Sequence, residues 1–213
     1  MFTGLIEKVC SVRSVQSMAG SMKLAVDMGE IASECNIGDS IAINGVCLTI
    51  SKLEGNLATF DVSAETIAKT SLDKLNSSSQ VNIERAMKAN DRFGGHFVLG
   101  HIDGTAKIQA IEKHGEFLNM KFSAGTELLE MMVLKGSVSV DGISLTLASI
   151  NKEGFSVAVI PQTLKKTTLN NVKIGDCVNI ETDIIIKAVK KQLDKILPKT
   201  EPLTAEKLRE LGF

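Results

Sequence analysis

The chain repeats itself. Ile43-Asn44-Gly45-Val46-Cys47-Leu48-Thr49-Ile50 lines up with Val140-Asp141-Gly142-Ile143-Ser144-Leu145-Thr146-Leu147 at a shift of 97 residues, and the same shift superposes Thr66 on Thr163, Thr70 on Thr167 and Val81-Asn82-Ile83-Glu84 on Val178-Asn179-Ile180-Glu181. From Ser40 to Glu84 the ungapped comparison gives 13 identities in 45 positions, where about three would arise by chance at roughly 6% per position. The N-terminal ends join at a shift of 96, Gly4-Leu5-Ile6-Glu7 falling on Gly100-His101-Ile102-Asp103, so one residue is inserted further along. A duplication of this length means that one supersecondary unit was copied, and it divides the chain into halves of 1–92 and 93–187 with a tail at 188–213.

Within each half, short alternating runs such as Ser40-Ile41-Ala42-Ile43 and Phe155-Ser156-Val157-Ala158-Val159 are separated by Gly, Asn or Lys/Glu turns, the pattern of half-buried strands. About six strands per half predict an all-β chain of two small closed barrels, since closure removes the exposed edges of so short a sheet. Thr126 is the expected cap of a helix over Glu127–Met132, with Glu30 opening its equivalent; Pro161-Gln162-Thr163-Leu164 opens a short helix opposite Ala64-Glu65-Thr66-Ile67. The tail differs, because Val189, Leu193, Ile196 and Leu197 form an apolar helical stripe flanked by lysines, and a subunit contact is its expected use.

Lys plus Arg number 24 against 25 Asp plus Glu, a net charge of −1, so no basic field exists to hold a nucleic-acid backbone. Nothing approaches the roughly 20 apolar residues of a membrane span, and the opening Met1-Phe2-Thr3-Gly4 lacks a signal-peptide layout, so the expected location is cytoplasmic. Cys10, Cys35, Cys47 and Cys177 are scattered, without a CxxC or Cys/His cluster, and predict neither zinc nor disulfides. With 8 Phe and no Trp or Tyr, a flat ligand must lie against Phe, Met or aliphatic groups.

No phosphate loop, dinucleotide fingerprint, HExxH or GxSxG motif is present. What the halves share is a strand carrying Cys47 and Thr49, or Ser144 and Thr146, at alternate positions and so on one face. Bonds from those groups to their own backbone would be a purely structural use, yet Cys in one copy against Ser in the other suits two related pockets with different tasks. His96 and His101 lie in a Gly-rich stretch without a third ligand, which leaves structure or proton transfer as their uses.

Met1-Phe2-Thr3-Gly4-Leu5-Ile6-Glu7, Asn44 to Thr49, Gly94-Gly95-His96 with Gly100-His101-Ile102, Asp141 to Thr146 and Pro161-Gln162-Thr163 together resemble the α-chain type of the riboflavin synthase family, over the whole chain to about Asp183. The resemblance implies two six-stranded Greek-key β-barrels with short helices and a C-terminal helix that makes a homotrimer, each barrel binding one lumazine. It implies a dismutation of two 6,7-dimethyl-8-ribityllumazine molecules, with no cofactor and no metal, and it raises association with lumazine synthase. Carried over residue by residue, a first pocket takes Gly4, Leu5 and Ile6, Cys47, Leu48 and Thr49, and Asp61, Val62, Ser63, Ala64, Glu65 and Thr66. A second takes Gly100, His101 and Ile102, Lys135, Ser144, Leu145 and Thr146, and Ala158, Val159, Ile160, Pro161, Gln162 and Thr163, with Gln162 where the family often carries Glu. Phe2, Cys47, His101, Ser144, Thr146 and Asp183 are the catalytic candidates, Phe2 supplying an aromatic face.

Two other readings compete. A non-catalytic lumazine or flavin carrier of the same fold, like the bioluminescence antenna proteins, would have lost part of that constellation. A flavin-dependent reductase would need a nucleotide-binding α/β domain, for which the 26 residues after 187 are too few.

Overall fold

The computed structural model describes residues 1–196 and residue 209. Strands β1 (Lys8–Met18), β2 (Ser21–Asp27), β3 (Ser40–Ile43), β4 (Val46–Glu54), β5 (Leu57–Ser63) and β6 (Gln80–Arg85) close in the order β1-β2-β5-β4-β3-β6. Strands β7 (Gly104–His114), β8 (Phe117–Ser123), β9 (Ser137–Val140), β10 (Ile143–Ile150), β11 (Gly154–Val159) and β12 (Cys177–Thr182) repeat that order in a second closed barrel. All pairs are antiparallel, and the return of β6 beside β3 after the β3-β4-β5 meander makes each barrel a Greek key. The expected fold class holds.

Closure needs strong local twist, and both barrels obtain it at equivalent places. Register shifts at Val12/Ser14 and Ile50/Lys52 recur at Ile108/Ala110 and Leu147/Ser149. Strands β1 and β7 start 96 residues apart and β3 and β9 start 97 apart, so the inserted residue lies between Ser123 and Ser137. That connection carries α2 (Thr126–Leu129) and Lys135, which holds φ at 66°. Here the capping expectation is corrected: Gly125, not Thr126, precedes the helix, and its carbonyl accepts the Leu128 and Leu129 N–H groups without any side-chain cap. The paired helices α1 (Ala64–Lys69) and α3 (Pro161–Lys166, proline first) stand where the sequence places them.

The last helix, α4 (Ile184–Ile196), opens ahead of residue 188, directly after β12. Lys187 and Lys190 tie it to the second barrel through Asp103 and Glu130 at 2.7 Å each. Its stripe of Val189, Leu193 and Ile196, extended back to Ile185, is exposed, and Leu197 lies outside the described residues.

A pseudo-twofold axis relates the barrels, and on it two hairpin turns meet backbone to backbone. The β3–β4 turn (Asn44, φ 45°; Gly45, φ 78°) and the β9–β10 turn (Asp141, φ 45°; Gly142, φ 80°) have the left-handed dihedrals of two-residue hairpins. They meet so closely that a Cβ on Gly45 would lie 2.6 Å from the Gly142 nitrogen. Asn82 and Asn179, both wholly buried, lock the arrangement. Asn82 donates its amide to the Asp141 carbonyl and accepts the Thr168 N–H; Asn179 donates to the Asn44 carbonyl and accepts the Ser71 N–H. Leaving any one of these buried partners orphaned costs about 1–3 kcal/mol.

The axis carries one chemical asymmetry. Where Asn44 accepts the Asn82 N–H through its amide oxygen, Asp141 accepts the Asn179 N–H through a carboxyl. Burial pushes that carboxyl from 3.8 up to about 7, against the pull of the Asn179 N–H. The folded protein thus keeps a proton that the unfolded chain releases. This site's contribution to stability is full below 3.8 and is lost as pH rises through about 7. Asp141→Asn has no proton to lose, so its advantage over wild type in thermal unfolding should widen from pH 5 to pH 8, reaching about 1–3 kcal/mol. A difference that does not change with pH would contradict this account.

Candidate active site

Strands β4 and β5 pair only from Ile50 opposite Phe60 onward, and β10 and β11 only from Leu147 opposite Val157. Ahead of those points each ladder opens into a gap, flanked by Cys47–Thr49 and Asp61–Ser63 in one barrel and by Ser144–Thr146 and Ala158–Ile160 in the other. Ile50 turns its N–H and C=O to Asp39 and Gly38, on the β3 side. By antiparallel alternation the main chain of Thr49 therefore faces the gap, as does that of Thr146, since Leu147 bonds to Gly136 and Lys135. Each gap offers backbone donors and acceptors to a flat heterocycle.

The same alternation sorts the side chains. Leu48, Val62, Leu145 and Val159 point into the barrel cores and line the gaps by backbone alone, whereas Cys47 and Ser144 are half-buried and Thr49 and Thr146 exposed. The polar face is the outside of each barrel, so these are grooves on its exterior and not barrel interiors.

The segments leading into β1 and β7 cross between the barrels. The Gly4 carbonyl accepts the Ser144 N–H at 2.8 Å, and the Gly100 carbonyl accepts the Cys47 N–H at 3.0 Å. Ile6 packs on the second core and Ile102 on the first. The approach requires glycine twice over: φ is 78° and 80°, and a Cβ would lie 2.6 Å from that of Ser144 or 2.4 Å from that of Cys47.

This corrects the expected pocket composition. Gly4, Leu5 and Ile6 belong with Ser144–Thr146 in the second barrel, and Gly100, His101 and Ile102 with Cys47–Thr49 in the first. His101 is thereby separated from Ser144 and Thr146. Lys135 is exposed and stands on the β9 side of β10, where its N–H bonds the Leu147 carbonyl, away from the gap. Ser63 caps α1 by accepting the Thr66 N–H, fixing the turn that closes the first groove; Ala64, Glu65, Ile160, Pro161 and Gln162 are exposed at the two groove ends, with Thr163 half-buried.

Phe2 does not offer an aromatic face. It is wholly buried among Ala42, Val98 and Cys47, its backbone paired with Val98. Among the described residues the exposed rings are Phe93, Phe97 and Phe117, the first two with centroids 4.6 Å apart.

The imidazole that reaches Ser144 is that of His96, its Nδ1 lying 2.7 Å from Oγ. His96 is held by its N–H on the Thr3 carbonyl, and its Nε2 is buried without a partner among the described residues. Burial lowers its pKa from 6.5, with the Asp183 carboxylate pulling the other way, a balance that favours the neutral ring. Asp183 caps α4 by accepting the Ile185 N–H. The repeat could not single out His96, because it lies in a linker that exists only once.

Two cavities are walled mainly by other residues. One of about 540 Å³ is lined by Thr3, Leu5, Glu7 and Arg85, and one of about 850 Å³ lies between the β1–β2 hairpin and α1; neither borders Cys47 or Ser144.

Two barrels with equivalent grooves, each completed by the other's lead-in, define a tandem small-ligand-binding β-barrel protein. The family model described as "Lumazine binding domain" matches twice, at residues 3–86 and 99–183. The riboflavin synthase of Bacillus amyloliquefaciens is 43% identical over 94% of this chain and 92% of its own, and that of Actinobacillus pleuropneumoniae 41% identical over the full length of both. A crystal structure of LumP complexed with riboflavin has the same fold, with a TM-score of 0.80 and 20% identity over 85% of this chain and 99% of that one. The chain belongs to the riboflavin synthase family.

Gly100→Ala should destabilise the protein by about 2–4 kcal/mol, since it meets both a left-handed backbone and the Cys47 side chain. Gly20→Ala, at a similar φ of 76° but with nothing within 4 Å, is the control and should cost about 1 kcal/mol in the same thermal unfolding series.

Proposed function

We propose that this chain makes riboflavin from two molecules of 6,7-dimethyl-8-ribityllumazine, one bound in each kind of groove. One lumazine gives up a four-carbon unit and leaves as 5-amino-6-ribitylamino-2,4-pyrimidinedione; the other accepts the unit and becomes riboflavin. Oxidation and reduction balance between the two substrates, so no redox cofactor takes part.

The observation that carries the reading is the pair of equivalent but chemically unlike grooves, Cys47 with His101 and Ser144 with His96, in a chain whose full-length relatives are riboflavin synthases. Gap-facing main chain at Thr49 and Thr146 suits the amide edge of a pyrimidinedione ring. The C7 methyl of the lumazine is acidic because its carbanion delocalises into an electron-poor ring. At the second groove, neutral His96 accepts the Ser144 hydroxyl proton in a hydrogen bond, which makes Oγ a better acceptor for the methyl proton. Asp183, beside that pair, favours the imidazolium that results. At the first groove Cys47 and His101 hold the partner lumazine. Juxtaposing two reactants in one site removes up to about 7–11 kcal/mol of barrier.

Both grooves are open, and we assign their closure to neighbouring subunits: the first barrel of one chain faces the second barrel of the next in a homotrimer, with the exposed α4 stripe as the contact. We place the protein in the cytoplasm, where its four unpaired cysteines are at home.

The deciding experiment incubates the gel-filtered, chelator-treated protein with the lumazine alone. Riboflavin fluorescence should appear; binding without turnover would make the chain a carrier. His96→Gln should lower kcat by about 10²–10⁴ with a smaller change in KM, and unchanged kcat would remove His96 from the proton path. Truncation after Asp183 should leave folded barrels that sediment as monomers, and a retained trimer would place the contact elsewhere.

A further inference from the structure

Glu84 on β6 and Glu181 on β12 occupy equivalent places in the repeat and are 4% and 1% exposed. Neither belongs to an ion pair among the described residues. Glu84 accepts the N–H groups of Thr3 (2.6 Å) and Gly4 (2.9 Å) and the Thr3 hydroxyl (2.7 Å); Glu181 accepts those of Leu99 (2.7 Å) and Gly100 (2.9 Å). Burial raises both carboxyls above the usual range while these N–H groups pull them down.

A buried carboxylate outside any ion pair costs several kcal/mol, and of the two only Glu181 feels a nearby cation, Lys187, which Asp103 opposes, so stability does not explain the pair. What a carboxylate alone does at this position is accept from two consecutive N–H groups at once. Those groups belong to the lead-ins that cross the pseudo-twofold axis. Gly4, clamped by Glu84, bonds Ser144 of the second barrel; Gly100, clamped by Glu181, bonds Cys47 of the first. Thr3, held by Glu84 through two bonds, also anchors the His96 N–H.

Resting on the synthase reading above, we propose that Glu84 and Glu181 are positioning residues that act crosswise: Glu84, on the first barrel, sets the Ser144–His96 groove of the second, and Glu181, on the second barrel, sets the Cys47–His101 groove of the first. A glutamine in either place turns an amide donor towards one of the two N–H groups, and that lead-in shifts while the other stays clamped. The groove that fails is therefore in the barrel that does not carry the substitution.

The test uses the full chain, with Cys47 as its own reporter. Riboflavin is titrated against iodoacetamide labelling of Cys47, read by peptide mass spectrometry, and the ring NMR signals of His96 and His101 are recorded in the same samples. Glu181→Gln should raise the riboflavin concentration for half-protection of Cys47 by roughly tenfold or more, the loss of one to two hydrogen bonds. It should move the His101 signals and leave those of His96. Glu84→Gln should leave Cys47 protection within about twofold, a change small beside one lost hydrogen bond, and move the His96 signals. Should a glutamine variant not fold, Glu84→Asp and Glu181→Asp, which keep the charge but shorten its reach, carry the same comparison. Effects confined to the substituted residue's own barrel, or equal effects on both grooves, would overturn the crosswise assignment. A wild-type Cys47 that riboflavin does not protect would instead overturn the ligand assignment, with the histidine signals still reporting on the clamps.

Discussion

Two hairpin turns meet backbone to backbone at Gly45 and Gly142, and no side chain can enter between them. That exclusion fixes how far apart the barrels can stand. Once they are this close, the carbonyls of Asn44 and Asp141 are sealed from water and must find donors, and they find them in the amides of Asn179 and Asn82 on the opposite barrels. Each asparagine then has its remaining oxygen committed to a further N–H, at Ser71 or Thr168. The contact specifies one relative orientation of the halves because any slip would orphan several buried groups together.

Proximity on the axis is also what lets the lead-ins cross. Phe2 and Val98 bridge each other there, and from that bridge the two segments diverge to lie against Ser144 and Cys47. Neither groove is thus the property of one half. Although each half has its own closed barrel and its own core, each groove takes one wall from the other half, so the duplication produced a shared pair of sites rather than two independent ones.

Much of this architecture was legible in the sequence, because periodicity and self-similarity report directly on strands and on copied units. Gly, Asn and Lys/Glu separators read as turns, and the alternation around Cys47 and Ser144 showed which residues share a face, although Asn44-Gly45 and Asp141-Gly142 read as the start of a strand and not as its hairpin turn. Alternation does not say whether that face looks inward or outward; in so small a barrel the interior is filled by Leu48, Phe60, Leu145 and Phe122, which leaves the outside for the polar positions. Nor could a shift of 96 reveal the crossing, since Gly4 and Gly100 are equivalent whichever barrel each touches. Phe2 looked available as an aromatic because its burial depends on Val98, nearly a hundred residues away. His96 has no partner in the repeat, and beside His101 the sequence leaves it either structure or proton transfer, while its bond to Ser144 is a fact of the tertiary structure.

A symmetric frame with unsymmetric contents suits a reaction between two copies of one molecule. Most of the buried, hydrogen-bonded positions that hold the frame stayed alike in both halves, Asn82 and Asn179, Glu84 and Glu181, the turn and lead-in glycines, with Asn44 against Asp141 an exception on the axis. Divergence fell on groups that face the grooves, Cys47 against Ser144 and Leu5 against His101, where a change alters chemistry without disturbing packing. Two identical sites would hold both lumazines in the same protonation and electronic state, with no preference for which gives carbon and which receives it. Placing a neutral imidazole against a hydroxyl at one groove and a thiol with an exposed imidazole at the other breaks that degeneracy, and it does so at positions the frame leaves free to vary.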